Sequence, residues 1–193
     1  MSLSPTKREI LETILLLDKP ERATSIAKEV GKEFPSTMMH IIGLTRMGYI
    51  TSPEKGLYTL TEKAKKALGI PEISKENAKK ALADMPQNQS FHFYASIGKP
   101  LSLNAHSLQD FRDKILQVNL ESIKFHEDRG DFAAWFEGIG DVALAKKVAL
   151  LKEKKMGGEE LRSRLHDMIE NRCIVLANIA EHSVLAESTN SVA

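Results

Sequence analysis

The sequence predicts a mainly α-helical protein in two parts: a small helical part that carries a β-hairpin, and a helical bundle with a long terminal helix. Apolar residues recur every three or four positions through most of the chain, as on the buried side of amphipathic helices. Residues 49–60 are instead rich in β-branched and aromatic residues on both sides of a Pro/Gly turn. After Gly157-Gly158, the apolar periodicity continues without a break toward the C-terminal region.

Composition describes an ordinary globular protein, with 42% hydrophobic and 27% charged residues in a chain of 193. The formal net charge is +1, but basic residues exceed acidic ones in residues 1–68 and the balance reverses afterwards. This mild asymmetry favours a nucleic-acid partner for the first part, although an ordinary solvated surface would also produce it.

One cysteine, Cys173, excludes an intrachain disulfide and a cysteine-based metal cage, so we expect a reducing, cytoplasmic location. The beginning of the sequence has no apolar segment followed by a cleavage site. No run approaches the roughly 18 apolar residues that a membrane span requires. We therefore expect no membrane partner.

The first helix is predicted to start near Pro5 and to end at Asp18, and the second to run from Ala23 to Gly31. A short turn leads from Gly31 to Pro35, where a third helix begins. The second and third helices thus have the spacing of a helix-turn-helix pair. On the third helix, Met38, Ile41 and Leu44 form the stripe that we expect to face the core.

The pattern that follows reads apolar-x-x-apolar-x-x-x-Gly-Tyr-Ile, turn, Leu-Tyr-x-Leu-Thr-x-x-Ala. It resembles the recognition helix and wing of archaeal and bacterial winged helix-turn-helix transcription regulators, over about residues 5–69. The resemblance implies an N-terminal winged helix, with three to four helices and a β-hairpin wing, that binds double-stranded DNA.

On this interpretation, the third helix reads base edges, and the wing tip and the start of the second helix contact the DNA backbone. Each side chain also has a simpler explanation as a helix cap, a solvated group or half of an ion pair. The predicted DNA-binding residues are Arg22, Ser36, Thr37, His40, Arg46 and Lys55.

Prolines and polar residues divide the chain into a DNA-binding domain at 1–69, a linker with a short helix at 70–89 and a helical domain at 90–193. Residues 91–97 read as a strand with no obvious partner strand. In the last helix, Leu161, Leu165, Ile169, Cys173, Leu176, Ala180 and Val184 form one apolar stripe. The length of that helix suggests an end that protrudes and pairs with a second subunit; complete packing within its own domain is the alternative.

The most distinctive run is Phe125-His126-Glu127-Asp128-Arg129-Gly130-Asp131-Phe132-Ala133-Ala134-Trp135. With residues 107–111, it is similar to an archaeal helical domain of unknown function that has a Phe-His-x-x-Arg-Gly-Asp-Phe-x-x-Trp signature. The similarity spans about Ser90 to Arg172. It implies no particular chemistry.

The run has two readings. In the first, Gly130 ends one helix, Asp131 caps the next, and Trp135 belongs to an aromatic core plug. In the second, Lys99, His126, Arg129 and Asp131 converge on a small anionic effector. No nucleophile, glycine-rich phosphate cradle or metal-ligand spacing accompanies these residues, so we expect neither an enzyme nor a bound metal or cofactor.

Together these patterns predict a sequence-specific DNA-binding transcription regulator that acts as a homodimer. The alternative is a protein–protein adaptor or ligand-sensing module whose winged helix contacts protein rather than DNA.

Overall fold

The computed structural model describes residues 3–181 and divides the chain into two compact units between Glu72 and Ile73. Within those residues the fold is mainly helical, with a long helix at the C-terminal side and small antiparallel sheets. None of the helices in this range is long and apolar enough to cross a membrane.

The first unit alternates short helices with short strands. Its elements are α1 (Pro5–Leu17), β1 (Glu21–Arg22), α2 (Ala23–Val30), α3 (Phe34–Arg46), β2 (Ile50–Thr51), β3 (Leu57–Leu60) and α4 (Glu62–Ala67).

The core of the first unit lies where α1, α2 and α3 meet. Ile10 and Leu11 of α1, Ile26 of α2, and Ile41 and Leu44 of α3 are all fully buried. Ile41 and Leu44 belong to the stripe predicted for the third helix. Burial of these branched side chains is the main force that holds three short helices together, because helices of this length are marginal on their own.

The strands of the first unit form an antiparallel sheet in the order β1-β3-β2. Glu21 pairs with Tyr58, and Ile50 pairs with Leu60. The Thr61 hydroxyl donates to the carbonyl of Gly48 over 2.7 Å and also caps α4 by accepting from the Ala64 N–H. The hairpin is therefore anchored beside the end of α3.

The second unit begins with a helix, continues with a β-hairpin and, as far as residue 181, ends with a series of helices. Its elements are α5 (Lys75–Leu82), β4 (Phe91–Ser96), β5 (Lys99–Ala105), α6 (Leu108–Ile115), α7 (Leu120–Arg129), α8 (Asp131–Gly138), α9 (Val142–Glu153) and α10 (Gly158–Glu181).

Helix α5 lies in the second unit, although the sequence suggested a linker at 70–89. It packs against α10 and also contacts α6. Ala78 and Ala81 are fully buried in this contact side of α5. Two alanines in a short, polar helix give a weak hydrophobic signal, yet small side chains are what allow two helices to approach closely.

The strand predicted at 91–97 does have a partner, which is the segment that immediately follows it. β4 pairs antiparallel with β5, from Phe91↔Ala105 to Ser96↔Lys99. The connection is a tight turn at Ile97-Gly98, and Gly98 takes the positive φ of 74° that such turns require. The pairing is irregular on both sides of Tyr94, which lies opposite Pro100.

Helix α10 has 24 described residues and would be about 36 Å long. The predicted stripe is buried at Leu161, Leu165, Ile169, Cys173 and Leu176, whereas Val184 lies outside the described residues. The helix is fixed to the start of α9 by Arg172, whose Nε lies 2.7 Å from Oδ2 of the fully buried Asp141. Oδ1 of Asp141 accepts from the Leu144 N–H and caps α9.

Candidate functional site

The outer side of α3 carries three of the six side chains predicted to contact DNA. Ser36 and Arg46 are exposed, and His40 is half-buried. Arg22, at the end of β1, and Lys55, in the turn between β2 and β3, are also exposed. All five remain accessible to a partner of the first unit.

Thr37 does not belong to this surface, and its predicted exposure is wrong. It is fully buried, and its hydroxyl donates to the carbonyl of Glu33 over 3.1 Å. Thr37, Ile41 and Leu44 form the inward stripe at spacings of four and three, while Met38 is only half-buried. We predicted that Met38 belongs to this stripe because methionine is more apolar than the neighbouring threonine.

Two large apolar side chains accompany the polar ones on α3. Phe34 is 46% exposed and Met39 is 69% exposed. Met39 shares the outer side of α3 with Ser36 and Arg46, whereas Phe34 is the first residue of the helix. On a DNA-reading surface an apolar side chain can contact a thymine methyl, and on a protein-binding surface it can contact protein.

In the second unit, the distinctive run forms a corner between α7 and α8. Gly130 has a φ of 78°, ends α7 and precedes the first residue of α8. Asp131 does not cap α8 as predicted, since α8 has no side-chain cap hydrogen bond. The Asp131 carboxylate turns instead to the last turn of α7, where two donors reach it.

His126 is the centre of this corner. It is 3% exposed; its Nε2 lies 2.9 Å from the backbone nitrogen of Tyr94 and its Nδ1 lies 2.8 Å from Oδ2 of Asp131. A backbone N–H is only a donor, so Nε2 accepts and the ring proton is on Nδ1. Both ring nitrogens are therefore engaged, and the imidazole joins α7 to β4 and α8.

The same oxygen of Asp131 accepts a second bond, from Nε of Arg129 over 3.0 Å. The guanidinium carbon of Arg129 also lies 5.2 Å from the centre of the Phe125 ring, within the range of a cation–π contact. The positive charge of Arg129 is thus balanced by Asp131 and held over an aromatic ring.

Burial lowers the pKa of His126 below its usual value, and the Arg129 charge acts in the same direction. The hydrogen bond and charge of Asp131 raise it and offset part of this effect. Burial is the larger influence, so the ring is neutral at pH 7. A neutral ring is also what the bond from Tyr94 requires.

Trp135 contributes to the aromatic core beside the corner. Its indole N–H donates to the carbonyl of Gln89 over 2.9 Å, and its ring stacks on Phe111 with centroids 5.2 Å apart. Phe91 lies 5.7 Å from Trp135 and 4.8 Å from His126, edge to face in both cases. These contacts account for the tryptophan as a packing residue.

A surface pocket of about 360 Å³ opens between β4, the Ile97-Gly98 turn and the end of α7. Three of the four residues predicted to converge on an effector line it, but Lys99 is not among the lining residues. The pocket is lined by Phe91, His92, Tyr94, Ile97, Gly98, Phe125, His126, Arg129 and Asp131.

The aromatic lining was not predicted as part of a site. Tyr94 and Ile97 come from β4 and its turn, far in sequence from the signature run, and no local pattern connects them. Phe125 stands inside the run, and this position was the one signal that the sequence offered for the aromatic lining; in the structure its ring is half-buried. Among residues 3–181, no three His, Cys, Asp or Glu side chains are grouped to hold a metal ion.

The fold and this site define a mainly helical protein whose second unit is built around an aromatic core and a buried histidine. Residues 66–170, more than half of the chain, match a family of unknown function, DUF5752, and the chain belongs to that family. The matched range begins upstream of residue 90 and includes α5. No curated protein and no solved structure gives a significant match.

Proposed function

We propose that the first unit is a winged helix that binds double-stranded DNA sequence-specifically, and that the protein is a cytoplasmic, homodimeric transcription regulator. The observation that carries this proposal is that the outer side of α3 presents Ser36 and Arg46, both exposed, and the half-buried His40, with the β2–β3 turn following in the chain. A helix with that set of side chains has the donors and acceptors needed to read base edges.

The arrangement of elements supports the proposal. Helices α2 and α3 pack together and are separated by only a short turn, and the chain then forms a small antiparallel hairpin. This order, with β1 joined to the hairpin, is the one expected of a winged helix. In such modules the second helix of the pair enters the major groove.

The charges on this side of the first unit also support it. Among residues 3–181, Arg22, Arg46 and Lys55 form no ion pair with a carboxylate of the protein. Lys63, by contrast, donates to the carbonyl of Met47 and lies over the Tyr49 ring. Uncompensated basic side chains are those that gain most from contact with phosphate.

A dimer would present two recognition helices about 34 Å apart, so we expect a twofold-symmetric operator. Ile174 and Val175 support dimer formation, because they are 52% and 44% exposed on α10. Selection of bound sequences from a random duplex library, with a molecular weight measured in solution, tests both parts. Recovery of no consensus sequence would contradict sequence-specific binding. A monomer that binds DNA with full affinity would contradict the dimer.

Phe34 and Met39 favour a second candidate, in which α3 contacts a protein and the chain is an adaptor. These exposed apolar side chains would find partners in a protein interface, where aromatic residues and methionine are enriched. The two candidates differ in a simple measurement. At a salt concentration of about 50 mM, the adaptor would show only weak, sequence-independent affinity for any duplex, and this would be unchanged by Arg46→Ala.

Neither candidate requires catalysis. The geometry of His126 supports a non-enzymatic function, because both ring nitrogens are already bonded within the protein and the ring is shielded from solvent. A general base needs a free nitrogen within hydrogen-bonding distance of its substrate.

A further inference from the structure

The pocket in the second unit is walled by aromatic rings that are only partly covered by protein. Tyr94, His92 and Phe125 are half-buried around it, and Ile97 at its edge is 82% exposed. Fully buried or nearly buried rings, Phe91 and His126, lie behind them. A concave surface of ring faces and edges suits a flat aromatic ligand, which gains both area burial and favourable ring–ring geometry.

The charges that line the pocket cancel one another. Arg129 is paired with Asp131, and His126 is neutral because its Nε2 accepts from the Tyr94 N–H. Lys99, which would have added a positive charge, is not a lining residue. A site with balanced charge offers no net attraction to an anion, so the geometry favours an uncharged ligand over the anionic effector that the sequence suggested.

Asp131, which lines the pocket, has one carboxylate oxygen that makes no hydrogen bond within the described residues. Both bonds to Asp131, from His126 and from Arg129, fall on Oδ2. Oδ1 accepts no hydrogen bond from any residue between 3 and 181. A carboxylate oxygen held in place by two donors on its neighbour is a well-positioned acceptor for one N–H group of a ligand.

We propose that this pocket binds a neutral, planar aromatic ring of one or two fused rings that carries an N–H donor. The ring packs against Phe125 and Tyr94, and its N–H donates to Oδ1 of Asp131. All lining residues of the pocket belong to the second unit, so ligand binding can be tested separately from DNA binding by the first unit.

Indole is a suitable probe because it combines a neutral bicyclic ring with one N–H, and benzoate and inorganic phosphate serve as anionic probes. Each is titrated into the 193-residue chain, and binding is followed by amide NMR shifts. We expect saturable shifts with indole at the amides of Tyr94, Ile97 and Gly98, and binding of benzoate and phosphate that is weaker by about tenfold or more. Tighter binding of either anion, or no saturable shift with indole, would overturn the proposal.

Two exposed apolar residues of the second unit give a matched pair of variants. Ile97→Asp places a carboxylate at the edge of the pocket, and we expect it to weaken indole binding about tenfold. Leu116→Asp makes the same change at a residue that is 49% exposed and does not line the pocket, so its affinity should equal that of the parent. Equal affinity in both variants would show that indole binds elsewhere and would overturn the assignment.

Discussion

The guanidinium Nε of Arg172 lies 2.7 Å from Oδ2 of Asp141, and the aspartate is inaccessible to solvent. This pair joins α10 to the first turn of α9. Removal of one partner from a buried pair leaves the other charge without compensation, which typically costs about 3–5 kcal/mol. The pair is therefore a sensitive point in the packing of the second unit.

We predict that Arg172→Ala lowers the free energy of unfolding by about 3 kcal/mol or more, as measured by urea denaturation. Arg112→Ala is the matched control. Arg112 also pairs with α10, through Glu170 at 2.8 Å, but both side chains are partly exposed at 26% and 41%. The free energy of unfolding of that variant should fall by at most about 1 kcal/mol. An equal decrease in the two variants would refute the special role of Arg172.

Glu127 is predicted to reduce stability at alkaline pH. Its side chain is buried, its Oε1 has no hydrogen-bond partner, and burial raises its pKa to about 7, against a smaller opposing effect of the Lys152 charge. The unfolded chain releases this proton near pH 4.3, so the folded state binds more protons between about pH 4.3 and 7. Stability from this residue is present below that window and is lost as the pH rises through it.

Glu127→Gln removes the titration, so we expect it to raise the free energy of unfolding at about pH 8 by about 1–2 kcal/mol. This is less than the full pKa shift implies, because solvent still screens part of the charge. The gain should shrink toward about pH 4.5, where the native side chain is itself protonated. A gain of the same size at both ends of this range would exclude ionisation as its cause.

Ionisation of His126 changes the free energy of unfolding with pH in the opposite direction to that of Glu127. The pKa of His126 is lowered in the folded state by burial, so below about pH 6.5 the unfolded chain binds the additional proton. The stability that this residue supports is present above that pH and is lost on acidification. Between about pH 7 and pH 5, we expect the urea midpoint of the parent protein to fall more steeply than that of His126→Gln.

Because Glu127 acts in the opposite direction over an overlapping range, the His126 comparison is best made in proteins that both carry Glu127→Gln. In the His126→Gln variant, the oxygen of the introduced amide can accept from the Tyr94 N–H and its nitrogen can donate to Asp131, without a titrating group. Parallel pH profiles of the two proteins would contradict the proposed neutral ring.

Cys173 is buried on α10, and burial raises the pKa of its thiol to about 11. Only the thiolate reacts readily with disulfide reagents. At about pH 8 we therefore expect the native protein to react on the order of 100-fold more slowly than the urea-unfolded protein, measured by release of the coloured thiolate from an aromatic disulfide. Equal rates would mean that the α10 face opens freely.

The DNA-binding proposal predicts two different effects of substitutions in the first unit. His40→Ala and Arg46→Ala should change the preferred operator sequence, because base-edge contacts carry the specificity. Lys55→Ala should weaken binding to all sequences alike and reduce the salt slope by about 0.9, the effect of one lost phosphate contact. Fluorescence anisotropy with selected and scrambled duplexes measures both effects.

Lys79→Ala is the control for Lys55→Ala, since it removes the same charge from an exposed position on α5 in the second unit. It should leave affinity and salt slope unchanged. An equal effect of the two lysine variants would reduce the proposal to general electrostatic attraction.

Local patterns in the sequence were sufficient for the first three helices, for the short helix within residues 70–89 and for the long last helix. Gly31 and Gly130 end helices as expected, and the predicted stripe of α10 is buried from Leu161 to Leu176. Strand β5 was not predicted, although Leu101, Leu103 and Ala105 alternate with polar residues; Pro100 weakens the strand pattern at its start. In a two-stranded sheet both strands are edges, so a proline is tolerated there.

The site was harder to predict because its bonds join distant residues. His126 meets the backbone of Tyr94, and no spacing rule connects a ring nitrogen with an amide 32 positions earlier. Asp131 had the position of a cap, but two donors on α7 attract its carboxylate more strongly than the free N–H groups of α8. The predicted apolar stripe of α3 was wrong by one position, at Met38 instead of Thr37, and Thr37 was therefore expected to be exposed although it is buried.

The contact between α5 and α10 determines where the protein can be cut. A fragment that starts at residue 90 would leave the α5-facing side of α10 in water, and we would expect it to aggregate during expression. A fragment that starts at residue 73 retains that cover and should remain monodisperse. Boundaries for isolating the second unit, or for fusing it to a reporter, therefore belong before Ser74 rather than after the prolines that suggested them.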